Sequence, residues 1–455
     1  MGGRARYQAG ALAAAFTTVG AITAAQIAEE DGGVQAIVGV DLRIELDNGD
    51  PEFRTGFDLD LISATRTQRL SFSGDIGVRV PLDDFGGAEV DDPRFGLDYL
   101  RDTGRTRLTF SADYVRQDID DISFPTTDDG FEEGDLTIID GGVRERRQAA
   151  FGLELGVTDP IGATFNYSLD DQDYIDTTDP DLDDTRTEQY SVGLRLDVDR
   201  TLRFTIDAGY RMRETGGTLP EVDTRTTLAF GGRWQALPNL LLDGSIAYAK
   251  TESEVSPGTV NLVSSKDGVN VVFGATFQQS ATSRLRFDLS RILNQAGYVT
   301  TAEISATYNL PQDATLNTMI GATRLPSGEV YPVWSLSYDR DTRLGDLTGA
   351  LRRSATVNGD DEEVVRSTLE GGYRMALPQD ARIGFTGRLT ESEFVDGTQG
   401  DVSTASVSVN YNRPLTEDWD FATGVRWQRT EEDGVGSDSD NSLFLSLERR
   451  FSFRR

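Results

Sequence analysis

Apolar residues occupy every second position from Val34 onward, break at a polar turn and resume, some twenty-two times before the chain ends. The first run reads Val34, Ala36, Val38, Val40, Leu42, Ile44 and Leu46, with mostly polar residues between. The last reads Leu443, Leu445, Leu447 and, beyond Arg449, Phe451 and Phe453. Period-two alternation marks a β-strand with one apolar and one polar face. A chain made of such runs, with no helical period between them, is all-β. An open sheet of that size would leave two unpaired edges, so the chain must close on itself or stack.

Connections between the runs fall into two kinds. One kind is brief: Thr158-Asp159-Pro160, Asp197-Val198-Asp199, Ala236-Leu237-Pro238-Asn239, Leu310-Pro311-Gln312-Asp313, Leu377-Pro378-Gln379-Asp380 and Arg413-Pro414-Leu415. The repeated Leu-Pro-x-Asp/Asn is a reused hairpin turn, with proline presetting φ and the Asx residue closing the bend. The other kind is longer and acidic, over residues 116–147, 170–187, 213–225, 251–267, 353–364, 391–402 and 428–441. Short turns on one side and long loops on the other is the pattern of a transmembrane barrel. A propeller would repeat in groups of four strands, and no such grouping is present. The expectation is a single closed antiparallel transmembrane β-barrel of about 22 strands, in a range of 18 to 24.

The faces agree with a membrane. Leu202, Phe204, Ile206, Ala208 and Tyr210 alternate with Arg203, Thr205, Asp207, Gly209 and Arg211. Val365, Leu369, Tyr373 and Met375 alternate with Arg366, Thr368, Glu370 and Arg374. Tyr99, Tyr114, Tyr190, Tyr210, Trp234, Tyr248, Tyr308, Tyr338, Tyr373, Tyr411 and Trp427 share the apolar face and lie towards strand ends, as interfacial girdles do. After the N-terminus no apolar run reaches the ~18 residues of a membrane helix. Arg4 and Arg6, the small-apolar stretch Ala9 to Ala25 and the acidic Glu29, Glu30 and Asp31 read as an export signal. The expected division is a signal over 1–25, a short segment over 26–33 and the barrel over 34–455.

Composition narrows the chemistry. There is no cysteine, so stability must come from the hydrogen-bonded sheet. Acidic residues outnumber basic ones 76 to 44, for a net charge of −32, which excludes nucleic acid as a partner. Only Lys250 and Lys266 are lysines; the other cations are arginines, suited to a fixed polar lining. Histidine is absent, which removes Ser-His, Cys-His and His-metal chemistry, so no enzyme is expected.

On these features the chain resembles Gram-negative outer-membrane β-barrel proteins over everything after the signal. Leu443, Leu445, Leu447, Phe451 and Phe453 resemble the aromatic-ended signature that such proteins present to the barrel assembly machinery, although Arg454 and Arg455 follow it. The resemblance implies an integral outer-membrane location among lipid and lipopolysaccharide. Energised uptake receptors of that class also have twenty-two strands but carry a long plug before the barrel. Only about eight residues separate the expected cleavage site from the first strand here, so a plugless barrel is expected.

The resulting expectation is a porin-like channel for passive or facilitated diffusion of small solutes, cation-preferring at its acidic outer mouth. In general porins the third outer loop folds inward. Here that loop, 117–146, carries Asp118, Asp120, Asp121, Asp128, Asp129, Glu132 and Glu133, with apolar anchors such as Phe124 and Ile138. Facing it would be lumen arginines, among them Arg203, Arg211, Arg233, Arg284, Arg286 and Arg374, so that opposed charges filter solutes. The alternative for these arginines is simple pairing along a polar wall. No cofactor is expected beyond loosely bound Ca or Mg at the outer loops. Asp179, Asp181 and Asp183 begin like an EF-hand, but Asp184 stands where glycine is required, which leaves only weak divalent bridging. The alternatives in function are export or surface assembly of a polymer such as exopolysaccharide, or a non-conducting adhesion scaffold.

Overall fold

The computed structural model describes residues 33–82, 88–118, 142–177, 182–217, 219–256, 262–311, 313–358, 362–395, 400–434 and 436–454. The expected signal and the segment after it, residues 1–32, lie outside the described residues.

Twenty-two strands make up one sheet. The first eight are β1 (Gly33–Asp47), β2 (Asp50–Thr65), β3 (Gln68–Pro81), β4 (Glu89–Asp102), β5 (Thr106–Asp118), β6 (Val143–Leu155), β7 (Ile161–Ile175) and β8 (Thr185–Asp197). Then come β9 (Leu202–Thr215), β10 (Glu221–Leu237), β11 (Leu240–Val255), β12 (Leu262–Ser280), β13 (Ser283–Leu293), β14 (Tyr298–Leu310) and β15 (Ala314–Arg324). The last seven are β16 (Val330–Thr342), β17 (Gly345–Val357), β18 (Glu363–Ala376), β19 (Arg382–Phe394), β20 (Val402–Pro414), β21 (Trp419–Glu432) and β22 (Gly436–Arg454). Each pairs antiparallel with its successor, and β22 pairs with β1 from Ser442↔Asp47 to Arg454↔Gln35. The sheet is a closed all-β barrel, as the alternation predicts.

Even-to-odd connections are tight turns at one end of the ring, where β1 begins and β22 ends. Local chemistry fixes them. In the β8–β9 turn the Asp199 carboxylate accepts from the Thr201 amide at 2.6 Å, the Thr201 hydroxyl at 2.7 Å and the Leu202 amide at 2.9 Å. The Thr201 hydroxyl and amide hold that carboxyl below the usual range. Gly156 is required in the β6–β7 turn, since φ is +64° and a Cβ would lie 2.3 Å from the Ile161 carbonyl oxygen.

The odd-to-even end departs from the sequence expectation. Strands climb into the stretches read as loops: β7 runs to Ile175, β11 to Val255, β12 starts at Leu262, and β21 and β22 occupy most of 428–441. Above the membrane both faces meet water, so alternation is lost while backbone pairing continues. Nor are all connections at this end long. β1 passes to β2 through Asn48 and Gly49, β13 to β14 through 294–297 and β15 to β16 through 325–329.

Alternation sorts the side chains cleanly. The set containing Ile206, Phe230, Ile246 and Ile320 faces outward, with these four 48%, 57%, 61% and 68% exposed. A continuous apolar belt of this size belongs against lipid. Every aromatic of the expected girdles lies on this outward set. Tyr114, Tyr190, Tyr210, Tyr248 and Trp427 form the far rim. Tyr99, Trp234, Tyr308, Tyr338, Tyr373 and Tyr411 form the rim at the short-turn end.

The closing seam has a clasp at its far end. Asn48 and Gly49 take φ of 48° and 97°, the left-handed pair of a two-residue hairpin. The Asn48 amide donates to the Asn441 carbonyl at 2.9 Å, the Asn441 amide to Asn48 Oδ1 at 3.0 Å and Asn48 Nδ2 to Asp440 at 2.9 Å. Asn48→Ala removes two of these bonds and is expected to lower unfolding stability by about 1–2 kcal/mol. Urea unfolding in lipid vesicles measures it; unchanged stability would mean the clasp does not secure the ring.

Candidate functional site: the lumen wall

The inward set is charged, and on β1, β2, β3, β21 and β22 it is layered. Arg43, Arg54 and Arg79 stand directly opposite one another across β1, β2 and β3. One step towards the far end Glu45 faces Glu52. One step towards the short turns Asp420, Glu448 and Asp41 form a row, and the next row runs Arg450, Gly39, Asp58, Asp75, Arg94. In most of these rows like charges meet across strands, Asp75↔Arg94 being an exception, while opposite charges such as Arg43 and Glu45 meet along the strand. The Arg43–Glu45 pair, at 2.9 Å, follows the strand, and the Arg43 guanidinium also lies 4.5 Å from the Phe444 ring centre. Arg43, Glu45, Glu52 and Arg54 are all buried, so this wall is a packed polar layer.

Glycine makes the layer possible. A Cβ on Gly39 would fall 1.9 Å from Asp58 Oδ1, and one on Gly56 would fall 1.8 Å from Asp41 Oδ1. Each carboxylate lies flat across the glycine opposite it.

The six arginines named from the sequence all face the lumen, at different heights. Arg203 and Arg233 are directly opposite on β9 and β10, with Arg203 paired to Asp197 and Arg233 opposite Asp243. Arg286 bridges Asp243 at 3.2 Å and Asp288 at 2.6 Å and donates to Thr276 at 3.0 Å. Arg284, one pleat nearer the short turns, donates to Gln278 at 3.3 Å. These four make one polar field near the short-turn end. Arg211 lies higher, opposite Arg225, and Arg374 lies on β18 opposite Asp346. The arginines do not form a single ring.

Of the acidic partners expected in the third loop, Asp118 ends β5 and is paired with Arg79 of β3, and its amide donates to Asp92 at 3.3 Å. Asp120, Asp121, Asp128, Asp129, Glu132 and Glu133 lie outside the described residues. So do Asp179 and Asp181; Asp183 packs beside Gly217. Among the described residues no cluster of three carboxylates is arranged to hold a metal.

Sequence reasoning missed how the far mouth is built. Pairing between β4 and β5 stops at Arg94↔Val115, between β12 and β13 at Val271↔Arg291, and between β16 and β17 at Trp334↔Arg353. Beyond each stop the hairpins on either side continue and overlap. At each split the outward side of the later hairpin meets the lumen side or edge of the earlier one. Asp118 reaches Arg79 in this way. At the second split Lys266 donates to the Ala296 carbonyl at 2.9 Å, the Val269 amide to the Tyr298 hydroxyl at 3.0 Å, and Gln295 to Asp223 at 3.0 Å. At the third, Val365 and Ala355 pack on Leu325 and Val333, while Glu363 accepts from the Ser327 amide and hydroxyl, both at 2.6 Å. Only the points where register ends could have signalled this, and they leave no mark in the alternation.

Glu363 is 4% exposed, so its loss strands the Ser327 donors. Glu363→Ala is expected to speed amide exchange over residues 325–333 by about tenfold or more. Exchange unchanged from wild type would show that the contact does not hold the hairpin down.

No family model matches the sequence, and no curated protein matches it. Solved structures do. The siderophore receptor PiuA from Acinetobacter baumannii superposes with a TM-score of 0.63 at 13% identity, over 92% of this chain and 82% of that one. The ferric-catecholate import receptor Fiu of E. coli, in its open form, gives 0.62 at 12% over 92% and 82%. The FrpB iron transporter of Neisseria meningitidis gives 0.62 at 10% over 93% and 82%. Identity this low establishes the fold alone. The chain has the closed barrel fold of these outer-membrane receptors and transporters.

Proposed function

We propose that the protein is an integral outer-membrane barrel through which small polar solutes cross by passive or facilitated diffusion, with a preference for cations. The layered charged wall carries this reading. Rows of arginine and carboxylate along the bore suit the passage of ions and polar solutes, beyond the pairing that any polar wall requires. The charged rows on β1–β3, β21 and β22, with the arginine field on β9–β10 on the other side of the ring, give the bore a local field that orients water and sorts ions. The acidic sequence at the far end adds a cation-attracting mouth. Small solutes, lipid, lipopolysaccharide and the assembly machinery, met through Leu443, Leu445, Leu447, Phe451 and Phe453, are the partners this reading carries. The N-terminal signal would deliver the chain for export. Loop carboxylates such as Asp183 would bridge to lipopolysaccharide through divalent cations.

A second reading is receptor-type import of a bound solute. It is favoured by the likeness to barrels described as iron, siderophore and copper transporters. Reconstitution in planar bilayers separates the two. The diffusion reading expects steady conductance, K⁺ preferred over Cl⁻ in a salt gradient, and a weaker preference in the triple variant Asp41→Asn, Asp58→Asn, Asp75→Asn. A barrel silent at every voltage that binds a ferric-catecholate probe tightly would replace diffusion with import.

A further inference from the structure

The outward surface carries charge at its two rims and none between them, and the rims differ in sign. At the far rim carboxylates such as Glu145, Asp171, Glu188 and Glu252 mix with cations. At the short-turn rim the outward charged residues of the described strands are arginines alone: Arg101, Arg340, Arg413 and Arg449.

Arg449 is held most specifically. It sits on β22 between Leu447 and Phe451, opposite Trp419 on β21 and Val40 on β1. Its guanidinium lies 5.3 Å from the Trp419 ring centre and 4.5 Å from that of Phe451. Among the described residues these two rings are its partners. The next residue, Arg450, points into the lumen and bonds Glu448. Arg413 lies on the same rim, opposite Phe421 on β21, and donates to Gln379 of the β18–β19 turn.

A lipid-facing cation is costly in the hydrocarbon centre and nearly free at the interface, where headgroup phosphates lie. A guanidinium offers a planar fork that matches phosphate oxygens in pairs, and aromatic faces hold that fork in place before the phosphate arrives. Rim arginines whose strands carry no outward carboxylate at this end are therefore complementary to an anionic lipid surface.

We propose that Arg449, fixed by Trp419 and Phe451 and seconded by Arg413, binds the phosphate of an anionic phospholipid in the leaflet at the short-turn end. The site rests on the membrane placement of the barrel and is independent of what passes through the bore.

Native mass spectrometry of the detergent-solubilised barrel titrated with phosphatidylglycerol tests it. Wild type is expected to retain the lipid, Arg449→Gln to retain it about fivefold more weakly, and the lumen-facing Arg450→Gln to match wild type. Diacylglycerol, which lacks the phosphate, should not be retained, and millimolar inorganic phosphate should not displace the phospholipid. The site is overturned if Arg449→Gln binds as wild type does, if Arg450→Gln loses as much, if diacylglycerol is held equally well, or if free phosphate displaces the lipid. Should Arg449→Gln not reach the folded barrel, Trp419→Leu and Arg413→Gln are read in the same assay, and full retention by both overturns the site. A barrel that needs detergent yet ignores phosphatidylglycerol sinks only this site. One that stays soluble without detergent sinks the membrane reading itself.

Discussion

Backbone hydrogen bonds that have no water to fall back on govern this molecule. In a hydrocarbon layer each unpaired amide or carbonyl costs several kcal/mol, so a sheet crossing it cannot have an edge. The pairing of β22 with β1 over the whole length from Asp47 to Gln35 removes that edge. Once the ring is closed, the side chains carry no duty to cover backbone. The outward set can be uniformly apolar, and the inward set can be charged to a degree that no packed protein core would tolerate.

That freedom has its own constraint. Charged side chains on neighbouring strands are close enough to repel when alike, and the β1–β3 wall puts Arg43 beside Arg54 and Glu45 beside Glu52. The arrangement survives because arginine and carboxylate rows follow one another from Glu45 through Arg43 to Asp41, and because carboxylates such as Asp58 have an arginine, Arg450, in the same row across Gly39. Gly39 and Gly56 supply the remaining condition by letting Asp58 and Asp41 lie down across the wall. The two glycines stand at inward positions of the alternation, and the space their missing side chains leave is taken by those carboxylates.

The division between what sequence reveals and what it hides follows the solvent. Where one face meets lipid, as in Leu202 to Tyr210 or Leu443 to Leu447, contrast between faces is high and the strand is plain to read. Where β7 runs on through Asp170 to Ile175, or β12 through Leu262 to Asn270, both faces are wet and the same backbone looks like a loop. The inward direction of Arg203, Arg233, Arg284 and Arg286 was legible from alternation. Their heights were not, because height depends on how far each strand slides past the next, and residues far apart in sequence set that stagger. The overlap at Glu363 and Ser327 was hidden for the same reason: it begins where β16 and β17 stop pairing, at Trp334 and Arg353.

The two ends of the ring are built to different rules, and that difference bears on function. At the short-turn end hairpins are locked by their own turn chemistry, as Asp199 and Gly156 show, and the outward charged residues of the described strands are arginines. At the far end the ring splits in three places, and adjacent hairpins are joined by side chains such as Glu363–Ser327, Lys266–Ala296 and Asp118–Arg79. Side-chain ties can be exchanged one residue at a time, whereas a backbone ladder can shift only as a whole. The barrel is therefore held by exchangeable side-chain ties at the far mouth and by tight backbone turns at the other end.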